Sequence, residues 1–178
     1  MAEQRVEIVE LLASPVHRYE GRPADGPLPA EGSELVAGID VRAGLGIVGD
    51  RYFGQRAHRD SSVSLQAAEA LEAVAEDLSV PTPDLTSTRR NILLRGVDVD
   101  ALAGTPFSLD SGEGEVVFRD SRPCRPCAWL DVTVGPGAHR AFRSRGGLRT
   151  GPVTDGRLRV GPAVLRTGED VRLPRGGS

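Results

Sequence analysis

The sequence contains no lysine, so all 22 of its basic residues are arginines. Covalent catalysis with pyridoxal phosphate needs a lysine to form its Schiff base, and this chain therefore cannot carry out that chemistry by itself. Hydrophobic runs long enough to span a bilayer are also missing, which predicts a protein with no membrane partner. The formal net charge is −3, so no overall positive field is present to recruit nucleic acid.

Cysteine is scarce, and both cysteines lie in one stretch, 121–131, with the only tryptophan. The N-terminal residues 1–5 lack the basic-then-apolar order of a signal peptide, which predicts a cytoplasmic protein. In the cytoplasm two cysteines are more often catalytic, redox-active or ligand groups than a structural disulfide. Arg122 and Arg125 flank the cysteines, and their charge would favour the thiolate, the form that acts as nucleophile and metal ligand.

Four interpretations of the pair Cys124 and Cys127 stay open on the residues alone. The pair could hold zinc together with His17, His58 or His139, although no second ligand pair with zinc-finger spacing is present. The order Cys-Arg-Pro-Cys also fits a thioredoxin-like motif, but that motif belongs near the start of a βαβ unit. The cysteines could be inert core residues, or one could carry sulfur as a persulfide or ligate a soft metal.

Apolar and polar residues alternate over many short segments, which predicts a strand-rich fold. Asp155-Gly156 is typical of a type I′ hairpin turn. One long helix is predicted over 61–78, capped by Ser61 or Ser62 and ended by Pro81, and short helices are expected after Asp98 or Asp100 and from Gly135. Many short strands with one substantial helix indicate a mostly-β barrel. The predicted strands are 5–12, 34–42, 89–94, 106–109, 115–119 and several closing segments within 158–173.

No internal repeat or domain boundary is visible, so a single domain is predicted over 1–173. The segment 19–33 is rich in Gly, Pro and Ala, which predicts a long surface loop that serves as a connector or a lid. A disordered tail is predicted for 174–178.

Two further segments carry chemistry. The glycines within 44–54 resemble a dinucleotide-binding loop only loosely, because no helical periodicity follows them. They are better interpreted as tight turns beside a site. Arg89, Arg90 and Asn91 begin an apolar strand, where buried arginines need an anionic partner. That partner is either a nearby acid or the phosphate of a ligand.

The ordered set of motifs resembles the MOSC family, the domain found at the C-terminus of molybdenum-cofactor sulfurases and in small stand-alone bacterial proteins, and the short stand-alone branch is the most similar. The resemblance extends over nearly the whole chain. Its motifs are 46–53, 89–92, 96–98, 102–104, Cys124-Arg125-Pro126-Cys127, 145–148 and Asp155-Gly156.

The resemblance implies a MOSC-type β-barrel with a reactive cysteine that falls on Cys127, with Cys124 as a resolving or second thiol. Family members are taken to bind the molybdenum-pterin cofactor or to carry sulfur. The pyridoxal-phosphate domain of the sulfurases is absent here, so sulfur would come from a partner such as a cysteine desulfurase.

Residues and resemblance together give a model of the site. Arg51, Arg89, Arg90 and Arg145 are candidates to bind a phosphate or other anion, and an ordinary ion pair with an acid is an equally compatible role for each. Asn91 is predicted to be a neutral donor. Asp50 is predicted to orient an arginine or to hold the loop geometry.

Three functions follow as hypotheses. The first is a stand-alone protein that handles sulfur through a Cys127 persulfide, for metal–sulfur or biosynthetic sulfur transfer to a small-molecule or cofactor substrate. The second is a molybdenum-cofactor enzyme that reduces N-hydroxylated compounds, in which Cys127 ligates the metal. The third is a binding module without catalysis, in which the cysteines are incidental.

Overall fold

Seven strands close into a barrel in the order β1-β10-β6-β7-β8-β4-β5, and a three-stranded sheet, β3-β2-β9, lies beside it. The computed structural model describes residues 2–168 and residue 171. Four α-helices are described, and three short 3₁₀ turns lie at Pro23–Asp25, Arg56–Ser61 and Asp100–Leu102. The helices are α1 (Ala68–Leu78), α2 (Leu85–Thr88), α3 (Trp129–Thr133) and α4 (Ala138–Ala141). The strands are β1 (Ala2–Leu11), β2 (Gly38–Arg42), β3 (Gly46–Ile47), β4 (Val63–Ala67), β5 (Ile92–Arg95), β6 (Phe107–Asp110), β7 (Val116–Pro123), β8 (Leu148–Pro152), β9 (Gly156–Arg159) and β10 (Gly161–Thr167).

The predicted mostly-β barrel is therefore confirmed. Alternation along the strands explains it, because successive side chains point to opposite faces. In β4, Val63 and Leu65 belong to the barrel core, whereas Ser64 between them faces outward. In β8, Leu148 is fully buried and the next residue, Arg149, is exposed. The side chains on one face of each strand thus fill the barrel. Those on the other face are free to pack against a second layer or to line a site.

The second layer is formed by helices on the outside of the barrel. Leu71 and Val74 of α1 pack in one apolar cluster with Leu93, the outward residue of β5, and with Phe142 after α4. The acidic residues of α1 lie on its solvent side, and Glu72 pairs there with Arg95. None of the helices in residues 2–168 is long and apolar enough to cross a membrane.

The predicted helix over 61–78 is wrong in its first half. Residues Val63–Ala67 form β4, which pairs parallel with β5 and antiparallel with β8. Neither Ser61 nor Ser62 caps α1, whose N-cap residue is Ala67 and has no side-chain cap. Local propensity did not decide this segment, because pairing with two neighbouring strands and burial of Leu65 stabilise the extended form.

The predicted hairpin at Asp155-Gly156 is also wrong. The strand before it, β8, belongs to the barrel, whereas β9 after it pairs with β2 in the small sheet. The side chain of Asp155 instead accepts a hydrogen bond of 2.8 Å from the backbone N–H of Ala43, so it connects the two sheets. This long-range contact and the pairing of β9 with β2 prevail over the tight turn that the dipeptide alone favours.

Other local predictions are confirmed. Asp98 accepts a hydrogen bond from the N–H of Ala101 at the start of the 3₁₀ turn that follows it, and α4 begins directly after Gly137. The short helix α2 begins directly after Asp84, whose side chain caps it. The predicted tail, 174–178, and Leu173 lie outside the described residues.

Candidate functional site

A cavity of about 330 Å³ contains most of the predicted site residues; we call it the thiol cavity. It lies against the outward faces of β4 and β8, beside the end of β7, with residues of α2 and α3 at its edges. Six of the eight predicted residues line it: Arg51, Arg89, Arg90, Asn91, Cys124 and Cys127. The site is thus on the outside of the barrel, between the sheet and the helical layer.

Asp50 lies behind the thiol cavity as a buried anchor, with only 5% of its surface exposed. One carboxylate oxygen accepts hydrogen bonds from the N–H of Ser14 at 3.3 Å, from Asn91 Nδ2 at 3.1 Å and from Arg51 at 3.2 Å. Its second oxygen accepts a hydrogen bond from the N–H of Tyr52. Asp50 therefore orients an arginine and holds the glycine-rich loop, which are the two roles predicted for it.

Asn91 is fully engaged in holding strands together. Its Oδ1 accepts from the N–H and the hydroxyl of Ser64, both at 3.0 Å. Its Nδ2 donates to the carbonyl of Leu12 and to Asp50. A side-chain amide has two N–H donors, and both are used, so the predicted role of Asn91 as a donor to a ligand is not supported.

Two of the predicted arginines are paired with nearby acids. The Arg51 guanidinium contacts Asp50 and also donates to the carbonyl of Arg89 at 3.0 Å. Arg89 lies 2.7 Å from a carboxylate oxygen of Glu34 and donates to the carbonyl of Val16. For these arginines the partner is a local acid, as one of the two predictions had it.

Glu34 itself holds two arginines, since Arg18 contacts its other oxygen at 3.0 Å. Burial opposes ionisation of Glu34, but its polar contacts with Ser14, Arg89 and Arg18 outweigh burial and lower its pKa. The Glu34 carboxylate is therefore the anion that stabilises Arg18 and Arg89 in the lining of the thiol cavity.

The structure does not bring Arg145 to the thiol cavity. Its guanidinium pairs with Asp77 of α1 at 2.8 Å, with 39% of the side chain exposed. Its carbonyl accepts a hydrogen bond from Gln66 of β4. The Arg145 side chain lies against α1 because Asp77 of that helix provides its carboxylate partner. The sequence alone did not show that α1 and Arg145 are neighbours.

Three arginines of the thiol cavity have no carboxylate partner among residues 2–168: Arg90, Arg125 and Arg149. Arg90 is held in place by backbone carbonyls, with Nε donating to Gly146 at 3.0 Å and a terminal nitrogen donating to Thr88 at 3.3 Å. Arg149 lies on the outward face of β8, opposite Ser64 of β4. Sequence reasoning did not single out Arg149, which lies between the buried residues Leu148 and Thr150 of β8.

The two thiols differ in burial. Cys127 is exposed and Cys124 is half-buried, and both are free. Burial raises the pKa of Cys124, and the charges of Arg90 and Arg149 act in the opposite direction. The sequence pointed to Arg122 and Arg125 for this role. The cations that act on Cys124 come instead from β8 and from the segment just before β5, which folding brings beside the cysteine loop.

The position of Cys124 is determined by two glycines. Its N–H donates to the carbonyl of Gly147 at 2.7 Å, which continues the ladder between β7 and β8 by one residue. A β-carbon on Gly146 would overlap the carbonyl of Cys124, and one on Gly147 would overlap the carbonyl of Leu65. Only glycine lets three backbone segments approach this closely.

Aromatic residues are part of the lining of the thiol cavity. Tyr19, at the start of the predicted loop, stacks on Trp129 with ring centroids 5.0 Å apart and an angle of 11° between the rings. The hydroxyl of Tyr19 donates to the carbonyl of Ser87 at 2.6 Å. Sequence reasoning missed Tyr19, and the only usable signal was the single tryptophan of the cysteine stretch.

Tyr52 also lines the thiol cavity and contacts two histidines. Its hydroxyl lies 3.2 Å from His17 Nε2, and its ring packs at 4.6 Å against that of His58. Burial and the nearby charge of Arg51 lower the pKa of His17. No group of three His, Cys, Asp or Glu side chains within the described part of the chain is placed to hold a metal ion, so the zinc interpretation gains no support there.

A MOSC domain model matches residues 47–172 of this chain. The chain belongs to the MOSC family. No curated protein matches it in sequence. The family match begins after His17 and Tyr19, which line the thiol cavity, and after Glu34, which pairs with two of its arginines. These three residues therefore lie outside the matched region.

Solved structures show the same fold in bacterial MOSC proteins. YuaD from Bacillus subtilis superposes with a TM-score of 0.64 at 14% identity, covering 92% of this chain and 96% of that one. YiiM from Geobacillus stearothermophilus gives 0.59 at 15% identity, covering 90% and 75%. YiiM from Escherichia coli gives 0.53 at 15% identity, covering 96% and 74%. At these identities the likeness establishes the fold alone.

Proposed function

We propose that this MOSC protein accepts a sulfur atom on Cys127 and transfers it to an anionic small molecule held in the thiol cavity. The observation that carries the proposal is an exposed thiol at the edge of a cavity whose walls include three arginines that have no carboxylate partner within residues 2–168. An exposed thiol is accessible to the large protein that would donate sulfur. The arginines would hold a small anion beside it.

The chemistry requires no net oxidation. The thiolate of Cys127 attacks the outer sulfur of a persulfide on a donor such as a cysteine desulfurase. A new S–S bond forms on Cys127, the donor's S–S bond breaks, and the donor leaves as its thiolate. In the transfer step a nucleophilic atom of the small molecule attacks the outer sulfur, a bond from that atom to sulfur forms as the S–S bond on Cys127 breaks, and Cys127 leaves as its thiolate. Cys124, half-buried and with a raised pKa, is less nucleophilic at neutral pH and is the second thiol of the pair.

Mass spectrometry of the intact protein tests this proposal after incubation with cysteine and a desulfurase. The wild type and Cys124→Ser are expected to gain the mass of one sulfur atom, which dithiothreitol removes, whereas Cys127→Ser is not. Arg145→Gln serves as a surface control that should load like the wild type. A wild-type protein that never gains sulfur, or a Cys127→Ser variant that gains it equally, would contradict the proposal.

The same arginines favour a second candidate, which is binding of the molybdenum-pterin cofactor. The residues of the thiol cavity fit its chemistry, since unpaired arginines suit the pterin phosphate and the soft thiolate of Cys127 suits molybdenum. Such a cofactor supplies oxygen-atom and two-electron chemistry when bound, as needed to reduce N-hydroxylated compounds. In that case Arg90 and Arg149 would bind the anionic end, and Cys127 would be the protein ligand.

Metal analysis separates the two candidates. The protein is purified from a host that makes the cofactor, and molybdenum and pterin are quantified in the wild type and in Cys127→Ser. Stoichiometric molybdenum that is lost in Cys127→Ser supports the second candidate. Absence of molybdenum and pterin from the wild type excludes the second candidate. Sulfur transfer is then judged by the mass-spectrometric test alone.

A further inference from the structure

Tyr52 and His17 form a polar pair in the lining of the thiol cavity. Tyr52 Oη lies 3.2 Å from His17 Nε2. The ring of Tyr52 packs edge-on against that of His17, with centroids 6.0 Å apart, and against the ring of His58 at 4.6 Å. The backbone N–H of Tyr52 donates to the buried carboxylate of Asp50. The phenol is therefore held through its backbone and its ring, with its hydroxyl at the imidazole.

The imidazole of His17 is able to accept a proton at neutral pH. Burial is the main cause that lowers its pKa below 6.5, and the charges of Arg51 and Arg89 act in the same direction. Glu20 and a backbone contact of His17 itself oppose them without reversing the shift. A neutral imidazole has one unprotonated ring nitrogen, and a Tyr52 hydroxyl that donates to Nε2 makes that nitrogen the acceptor. His17 is also an exposed residue, so a proton on its ring can pass to water.

The segment that carries His17 also reaches the surroundings of Cys127. Tyr19, two residues after His17, stacks on Trp129, and the charge of Cys127 acts on the Tyr19 hydroxyl. Two residues of chain span at most about 7 Å, so His17 and Tyr19 connect the Tyr52 side of the lining with the Cys127 side. A small molecule in a cavity of about 330 Å³ can therefore contact the Tyr52 hydroxyl and a sulfur atom on Cys127 at the same time.

We propose that Tyr52 and His17 act as a proton-accepting dyad for the small molecule that receives sulfur from Cys127. The dyad rests on the proposed function and deepens it, because it assigns a nucleophile that is protonated at neutral pH, such as a thiol, as the class of substrate. As the nucleophilic atom attacks the outer sulfur, its proton passes to Tyr52 Oη and the hydroxyl proton passes to His17 Nε2. The bond to sulfur forms, the S–S bond breaks, and Cys127 leaves as its thiolate. Water then takes the proton from His17.

Discharge of the sulfur-loaded protein tests the dyad, with 2-mercaptoethanol as the acceptor. The protein is loaded with cysteine and a desulfurase, the donor is removed, and loss of the sulfur atom is followed by mass spectrometry across a range of pH. Without a proton acceptor, the rate follows the thiolate fraction of 2-mercaptoethanol and rises about tenfold per pH unit below the pKa of that thiol. With the dyad, the wild-type rate should rise only up to the pKa of His17, below 6.5, and then stay level to neutral pH.

Three single variants and one double variant identify the groups responsible. His17→Gln and Tyr52→Phe should each lower the discharge rate at neutral pH about tenfold or more and restore the steep pH dependence. The double variant should be no slower than either, because the proton path needs both groups. His139→Gln is the matched control, since His139 lies in α4 outside the lining of the cavity, and its rate should equal that of the wild type.

Nitrogen NMR of the histidine side chains tests the dyad without any sulfur. At neutral pH, His17 should be neutral with Nε2 unprotonated, and the Nε2 signal should move in Tyr52→Phe. A proton on Nε2, discharge of the wild type that follows the thiolate fraction alone, or an equal loss of rate in His139→Gln would each overturn the dyad. A wild type that never loads sulfur contradicts the proposed function instead, so the two failures are distinguished by separate measurements.

Discussion

Gly146 packs its α-carbon directly against the carbonyl of Cys124, leaving no room for a β-carbon. The same glycine accepts a hydrogen bond from Arg90 through its carbonyl, and its neighbour Gly147 accepts one from the N–H of Cys124. A single glycine pair therefore positions both the half-buried thiol and the arginine beside it.

Substitution Gly146→Ala is expected to lower the free energy of unfolding by about 1–3 kcal/mol, the usual cost of overpacking. The backbone around Cys124 must shift to make room, so the rate of alkylation of Cys124 should also change in a Cys127→Ser background. Urea unfolding and timed reaction with iodoacetamide measure the two effects. Gly112→Ala is the control, since that turn glycine has open space around it and should alter stability without altering the thiol.

Removing the charge of Arg90 should raise the pKa of Cys124 above its already raised value. Burial is the main cause of the raised pKa, and Arg90 is the first of the two cations that oppose it. The pH dependence of alkylation in the Cys127→Ser background reports this pKa, and the curve for Arg90→Gln should move to higher pH. An unmoved curve, or an equal movement in Arg145→Gln, would show that Arg90 does not act on the thiol.

Glu34→Gln should destabilise the protein by about 3 kcal/mol at neutral pH, because it leaves the buried Arg89 without an anion. The pKa of Glu34 is lowered in the folded state, so its contribution is complete above the ordinary value of 4.5 and is lost as pH falls through the folded value. Unfolding curves should therefore converge for the two proteins at acidic pH.

A surface pair provides the control for that experiment. Glu72→Gln removes an ion pair whose two side chains are 47% and 41% exposed, and water already screens such pairs. Little change in stability is expected at any pH. Equal losses of stability in Glu72→Gln and Glu34→Gln would mean that burial does not strengthen the ion pair between Glu34 and Arg89.

Tyr19 is expected to stabilise the edge of the thiol cavity more by stacking of its ring on Trp129 than by the hydrogen bond of its hydroxyl. Tyr19→Phe loses the hydrogen bond to Ser87, which costs about 1 kcal/mol. Tyr19→Ala also loses the stack on Trp129 and should cost about 3 kcal/mol. Since Trp129 is the only tryptophan, its fluorescence should change strongly in Tyr19→Ala and weakly in Tyr19→Phe. Similar spectra for the two variants would contradict this order.

Much of the site was accessible from the sequence because its parts are local. The cysteine pair, the arginines before Asn91 and the loop around Asp50 are each contiguous in the chain, and their chemistry follows from residue type. Partner assignments were less accessible. Arg145 pairs with Asp77, and the donors of Asn91 are used by Leu12 and Asp50, which are contacts between residues far apart in sequence.

The segment 61–67 shows the same limit for secondary structure. Ser61 and Ser62 followed by apolar residues fit a capped helix, but β4 is stabilised by β5 and β8 on its two sides. A helix period and a short buried strand cannot be separated by local pattern when the strand continues directly into a helix. Pairing partners that lie 25 residues or more away decided the outcome.

The sequence by itself determined the strand-rich fold and the presence of a thiol pair among arginines. It also excluded covalent catalysis through a lysine of this chain. These features follow from alternation and residue type, which are local properties. Only the tertiary structure decided which arginines remain without a carboxylate, because ion pairs form between distant segments that folding brings together. It likewise placed Arg149 beside Cys124 through strand register and brought Tyr19 onto Trp129. Charge that is left uncompensated is a property of the assembled cavity, and it is this property that indicates where an anion would bind.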